Sequence, residues 1–409
     1  MLRLIWRGIH APAYWRRWAE RFGFIPQLTH QNTIWLHAVS VGEVQAAIPL
    51  LQSLHEQYPG IPVVVTTMTP TGSERVKANL GEGVLHVYAP YDLPGAVQRF
   101  LKRAKPSLAI IMETELWPNL FYYCYQQKIP LIVANARLSE RSARRYRRFH
   151  NLTRQTLQLV SAFAVQAQAD ASRLIQLGAD SSRVHVTGNI KFDIKIPASR
   201  LEQAQALRRE WGQDRPVWIA ASTHEGEDEI VLAAFEKVRQ DVPQALLVLV
   251  PRHPERFGKV AALCFKQGYM TIMRSEHQEC DSSTDIVIGD TMGELRLFYG
   301  AVDAAFVGGS LVPTGGHNVL EPAAMRLPVI FGPHMFNFAE ISRLLLEAGA
   351  AVRVNNAQEL AQTVTMFLTN TPRRLETGEK AYQVIERNRG ALDKMLTIID
   401  RHYRQAAGA

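Results

Sequence analysis

Cysteine is scarce: three thiols in 409 residues (Cys124, Cys264, Cys280), none of them in a CxxC pair. Three cannot all pair, which excludes a disulfide scaffold or a structural zinc site and leads us to expect a reducing compartment. Long apolar runs are also lacking. No stretch approaches the roughly 18–20 apolar residues that span a bilayer, and the first segment is too rich in arginine to be the apolar part of a signal peptide. Several catalytic fingerprints are missing as well: GxxxxGK[ST], GxGxxG after the first strand, HExxH, DxD and GxSxG. ATPase, dinucleotide oxidoreductase, metalloprotease, common metal-dependent transferase and serine hydrolase readings are therefore unsupported. With 47% apolar and 21% charged residues, the chain is neither disordered nor fibrous.

The formal net charge is +8, from 46 basic against 38 acidic residues, so an anionic partner is expected. Two segments concentrate the charge. In residues 1–23, Leu2, Ile5, Trp6 and Ile9 recur at helical spacing, as do Tyr14, Trp15, Trp18 and Phe22 after Pro12, with Arg3, Arg7, Arg16, Arg17 and Arg21 between them. Such a pattern suits an interfacial membrane-associated segment, or else a short helix packed on its own domain. The second run is Arg137, Arg141, Arg144, Arg145, Arg147 and Arg148, flanked by Tyr146 and Phe149. It is either a solvated helix face or a surface for an acceptor carrying phosphates. No nucleic-acid-binding motif accompanies it, so no nucleic acid is expected as partner.

Short β-branched runs alternate with helical patterns throughout, which predicts an α/β protein built on parallel sheets. Seven strands are expected in the first half, from Ile34–Ser40 to Val184–Thr187, and seven in the second, from Val217–Ala221 to Ala351–Val354. Between them, residues 195–215 are polar and helix-forming, and mark a boundary. The expected division is residues 1–23 interfacial, 24–200 an amino-terminal domain, 201–375 a carboxyl-terminal domain, and 376–409 a helix packing back on the first. Two such halves would face each other across a cleft at the carboxyl ends of their strands, where ligands of α/β proteins bind.

Candidate chemistry clusters at those strand ends. Glu43, in Ser40-Val41-Gly42-Glu43, stands at a strand-to-helix turn, where an acid either caps the helix or serves as a general base. Glu113 and Glu115 follow the strand Leu108–Met112 and would share a face if the chain stayed extended. Lys191 follows the last strand of the first half. In the second half, Pro251-Arg252-His253-Pro254 offers a guanidinium and an imidazole to an anion. The turns Gly289–Leu295, Gly308-Gly309-Ser310 and Gly315–Pro322 bring glycines and helix starts to a phosphate, with Glu321 able to accept from ribose hydroxyls.

The motifs HAVSVGE, TTMTPTGSERV, METELWPN, NARLSERS, GNIKFD, PRHPERF, DTMGEL and GGHNVLEPA together resemble the 3-deoxy-D-manno-oct-2-ulosonic acid (Kdo) transferases of Gram-negative bacteria, over nearly the whole chain. The resemblance implies the GT-B glycosyltransferase fold, two Rossmann-like domains facing a cleft. It implies transfer of Kdo from CMP-Kdo to the 6′-hydroxyl of lipid IVA, a lipid A precursor, in lipopolysaccharide biosynthesis, with one or more Kdo units added. Glu43 would then be the general base, and Glu113 and Lys191 would stabilise the transition state. Pro251, Arg252, Met292, Gly293, Glu294, Asn318, Val319, Leu320 and Glu321 would bind CMP. No metal and no cofactor are implied. The partners would be CMP-Kdo, lipid IVA and the anionic surface of the inner membrane, with peripheral attachment at its cytoplasmic face. A nucleotide-sugar epimerase of the same fold is the alternative, and it needs no lipid-facing segment.

Overall fold

The computed structural model describes residues 17–28 and 32–407. They form two compact units. The first takes the described residues up to Asp193 together with those from Asn388 on, and the second is Ile194–Arg387.

The first unit is built on seven parallel strands: β1 (Thr33–His37), β2 (Val63–Thr67), β3 (Val84–Tyr88), β4 (Pro106–Met112), β5 (Leu131–Ala136), β6 (Ala162–Val165) and β7 (Val184–Val186). Their order across the sheet is β3-β2-β1-β4-β5-β6-β7. The central strands are apolar and buried on both faces, as expected of a parallel sheet covered by helices on each side. Alternation within β1 shows how one strand serves two cores. Ile34 and Leu36 pack with Leu50, Leu54 and Ile110 on one face, whereas Trp35 packs with Phe100, Ile111 and Phe121 on the other. After β3 the chain returns to the far side of β1 to lay down β4, in register Trp35 with Ala109 and His37 with Ile111. Connections on the two sides of this reversal diverge, which opens a crevice at the carboxyl ends of β1 and β4.

The second unit repeats the plan with β8 (Val217–Thr223), β9 (Leu246–Pro251), β10 (Thr271–Met273), β11 (Ile286–Ile288), β12 (Ala304–Val307), β13 (Val329–Phe331) and β14 (Ala351–Arg353), ordered β10-β11-β9-β8-β12-β13-β14. Here the reversal lies between β8 and β12. Trp218 and Ala220 face one core with Phe235, and Val217, Ile219 and Ala221 face the other with Phe298.

All fourteen expected strands are present. The first ends at His37 rather than Ser40, because Ser40 is already the cap of the helix Val41–Gln57. The polar stretch expected to separate the domains is a helix, Ala198–Trp211, that buries Ala204, Leu207 and Trp211 and stacks Trp211 on Phe298 at 6.1 Å. Its apolar residues, three to four apart, are enough to anchor it, so the division falls at Asp193/Ile194 rather than after residue 200. Likewise the helical pattern near the carboxyl end is two helices, Thr371–Asn388 and Ala391–Ala407. The second joins the first unit, with Leu392, Met395, Ile399 and Tyr403 in the core beneath β1 and β4. Asp193 holds its start: the carboxylate accepts from the amides of Gly390 at 2.7 Å and Leu392 at 2.6 Å.

Of the segment expected to be interfacial, residues 1–16 lie outside the described residues. For Arg17 and Arg21 the structure gives another role. Arg17 donates to the carbonyl of His86 at 2.7 Å and to Glu20 at 2.7 Å. Arg21 is fully buried, donates to the carbonyl of Met68 at 3.1 Å and lies 4.3 Å from the centre of the Tyr88 ring. These guanidiniums close the ends of β2 and β3 instead of facing lipid. Among the described residues no helix is long and apolar enough to cross a membrane.

Candidate active site

In the first unit the candidate groups sit beyond the carboxyl ends of β1, β4, β5 and β7. Ser40 and Glu43 form a reciprocal cap: the Glu43 amide donates to Ser40 Oγ at 3.3 Å, and the carboxylate reaches back to accept from Ser40 Oγ and from the Val39 amide, each at 2.8 Å. The motif thus serves as cap and candidate base at once, and the cap fixes where the carboxylate points. Glu43 is only 6% exposed. Burial pushes its pKa up from 4.5 to about 7, against the bonds from Ser40 and Val39, and with help from the negative fields of Glu115 and Glu113. A carboxylate that titrates near neutrality can both accept and release a proton at physiological pH.

Glu113 and Glu115 do not share an extended face. Glu113 takes the left-handed conformation (φ 55°) just after β4, tied through its amide to the carbonyl of Ala134 at 2.9 Å on the neighbouring strand. A non-glycine residue held there is strained, and such strain gathers at functional sites. Glu115 accepts from the Trp117 indole at 2.9 Å, and its pKa is raised by burial, with a contribution from Glu113. Trp117 meets His37 edge-on at 5.0 Å, which links this turn to the end of β1. Lys191 is set by a short turn that Asn189 caps, its amide donating to Asn189 Oδ1 at 3.0 Å. Burial lowers its pKa, while the charge of Glu113 works the other way. Glu113 therefore lies within electrostatic reach of Glu43, Glu115 and Lys191.

One residue of this arrangement escaped the sequence reading. Asn135 is buried in the left-handed conformation (φ 54°), its side-chain oxygen accepting from the Ile190 amide at 3.2 Å and its carbonyl accepting from Gln166 at 2.9 Å. It joins the end of β5 to the Lys191 turn, and no local pattern announces that.

In the second unit, Pro251 closes β9, and the Arg252 amide donates to the carbonyl of Thr223 at 3.0 Å, which holds Arg252 beside the end of β8. Met292 is 68% exposed. Glu294 binds the Thr291 hydroxyl and, at 3.2 Å, Arg274; burial opposes its ionisation, but these donors outweigh burial and lower its pKa. Asn318 Oδ1 accepts from the Leu320 amide at 3.1 Å. Val319 and Leu320 are fully buried. Glu321 pairs with Arg296 at 3.0 Å. The helix that follows is a single short one, Leu320–Ala324.

The glycine turn after β12 differs from expectation. The carboxylate of Glu227 fills it, accepting from the amides of Gly309 (2.6 Å), Ser310 (2.9 Å), Leu311 (2.8 Å) and His224 (3.0 Å). An anion from outside would find those amides already engaged. The sequence reading passed over Glu227, although Thr223-His224-Glu225-Gly226-Glu227 follows a strand as the other motifs do. Among the described residues no group of three or more His, Cys, Asp or Glu side chains is arranged to hold a metal ion.

Residues 16–194 match the family model described as 3-deoxy-D-manno-octulosonic-acid transferase (kdotransferase). The chain is 45% identical to the 3-deoxy-D-manno-octulosonic acid transferase of Haemophilus influenzae over 395 residues, covering 96% of this chain and 92% of the relative. The enzyme of the same name from Bordetella pertussis is 38% identical over 376 residues, covering 90% and 86%. Among solved structures, the UDP-GlcNAc 2-epimerase of Neisseria meningitidis bound to UDP-GlcNAc superimposes with a TM-score of 0.59 at 15% identity, covering 90% of this chain and all of that one. At that identity the likeness speaks for the fold alone, the two Rossmann-like units of GT-B enzymes.

Proposed function

The chain belongs to the 3-deoxy-D-manno-octulosonic acid transferase family, and from that membership we propose that it transfers Kdo from CMP-Kdo to the 6′-hydroxyl of lipid IVA, in one or more rounds, with Glu43 as general base. The observation that carries the assignment is the Glu43 carboxylate itself, buried, aimed by its own cap and titrating near 7 beside the strained Glu113 turn.

Attack by the acceptor hydroxyl on the anomeric carbon releases a proton and builds positive charge on the sugar, while CMP departs as an anion. Glu43 takes the proton. Glu113 and Lys191 steady the charge that develops in the transition state, and no bond to a metal is invoked. The nucleotide falls to the second unit: Arg252 meets the phosphate, the Met292-Gly293-Glu294 turn and the backbone from Asn318 to Glu321 meet the rest, and Pro251 sets the position of Arg252. Mass spectrometry of the products formed from CMP-Kdo and lipid IVA tests substrates and multiplicity together. Increments of one or more Kdo masses are the expected result, and an unchanged acceptor would end the assignment.

An anionic membrane surface fits the first unit. Arg141, Arg144, Arg145, Arg147 and Arg148 are exposed on and just after the helix Glu140–Arg147, next to Phe149 (70% exposed) and Leu152 (51% exposed). Large apolar side chains left in water among guanidiniums suit peripheral attachment to anionic lipid, here the cytoplasmic face of the inner membrane. Phe149→Asp combined with Leu152→Asp is expected to weaken cosedimentation with phosphatidylglycerol vesicles by about tenfold or more, since one buried Phe or Leu contributes about 1.5–3 kcal/mol.

A further inference from the structure

Three imidazoles meet at the strand ends of the second unit: His224 after β8, His253 after β9 and His317 in the loop after β12. The His224 and His317 rings are parallel within 7°, with centres 5.0 Å apart and Nε2 atoms 2.8 Å apart. His253 meets His224 edge-on at 5.3 Å. The charged groups that face His317 are Arg252, His224 and His253; those that face His224 are Glu227, His253, Arg256 and Arg252. The nearby acids are already matched, Glu227 by four amides and Asp228 by Arg256 and the Thr223 hydroxyl.

Two ring nitrogens at that separation share one proton, one donating and the other accepting. While the pair stays neutral, each Nε2 is therefore turned to the other. Burial favours that state, holding His317 down to about 3 and His224 below its ordinary value, with Arg252 adding to the effect on His317. Since Glu227 occupies the Gly309–Leu311 amides, countercharge for an incoming anion must come from side chains.

Resting on the reading of this unit as the cytidine nucleotide site, we propose that His224 and His317 form a proton-linked anion seat that takes up one proton from solvent as the donor phosphodiester binds. The added proton goes to the accepting Nε2. Two N–H groups then face each other, their hydrogen bond is lost, and both can turn to phosphate oxygens. An anion in contact favours the imidazolium against the cost of burial. The phosphate monoester that leaves has a second pKa of about 6, close to that of imidazole, so the seat acts through the positive charge it sets against the departing dianion.

Calorimetry on the full chain tests this, with the 5′-methyl phosphodiester of CMP as probe because its phosphate has no proton to titrate near neutrality. Binding heats are compared in buffers of different ionisation enthalpy between pH 6 and 8. Uptake of about one proton per ligand is expected, with affinity rising toward tenfold for each pH unit lowered. His317→Gln and His224→Gln, checked for folding by circular dichroism, should bind more weakly and without uptake. Cytidine, which lacks the phosphate, and free Kdo, which carries only a carboxylate, should bind without uptake. Binding of the phosphodiester that is indifferent to pH and buffer would overturn the seat and leave the nucleotide site standing. Uptake driven by cytidine or Kdo, or retained in both variants, would also overturn it. Absence of phosphodiester binding at every pH would remove the nucleotide reading along with it.

Discussion

Glu43→Gln is expected to lower kcat by about 10²–10⁴-fold, the range that a positioned general base contributes, with little change in nucleotide affinity. The amide keeps the shape of the cap but cannot take the proton from the acceptor. In the wild-type enzyme, log(kcat/KM) should fall with unit slope as pH drops below about 7, where the carboxyl becomes protonated. Stability should move the opposite way. Because burial raises the folded pKa from 4.5 to about 7, the protonated acid is the form that the fold prefers. The cost of the buried anion is absent below 4.5, grows between 4.5 and 7, and is complete above that. Above pH 7 the wild type is thus less stable than at pH 4.5 by about 3 kcal/mol from this group, a dependence that Glu43→Gln removes. Urea titrations of both proteins across that range check it. A variant that is inactive yet unchanged in its stability profile would show that the carboxyl titrates elsewhere.

Glu227→Ala has the largest expected effect on folding. Its carboxylate is fully buried and is the acceptor for four backbone amides from two connections, those after β8 and β12. Removing it leaves the buried amides of Gly309 and Ser310 without an acceptor, at about 1–3 kcal/mol for each such group. A loss of about 3–5 kcal/mol is expected, in the range seen when one partner of a buried charged network is deleted. Because the loop that it holds also carries His317, nucleotide affinity should fall as well. Thermal unfolding followed by calorimetry reads the first effect. Limited proteolysis locates it, with new cleavage expected within Ile194–Arg387.

Much of this architecture was legible in the local pattern. Runs such as Leu108–Met112 and Leu246–Pro251 announce buried parallel strands, because a strand covered on both faces must be apolar throughout. The cap at Ser40 and Glu43 was equally visible, being a matter of four consecutive residues. The boundary near residue 200 was misplaced for a physical reason. The helix Ala198–Trp211 is mostly polar, and the three side chains that anchor it are ordered by Phe298 and its neighbours, almost a hundred residues further on.

What the linear order of residues determined by itself is the kind of protein: alternating strands and helices, acids and basic groups at the strand ends, and motifs shared with a transferase family. Which of those ends meet was decided only in three dimensions. β1 lies beside β4 and β8 beside β12, pairs separated by many tens of residues, so the neighbours of Glu43 or Glu227 cannot be read from the residues around them. Proton affinity follows the same rule. The Glu43 carboxyl rises and the His317 imidazole falls because folding removes water and brings particular charges close, and neither effect exists in the extended chain.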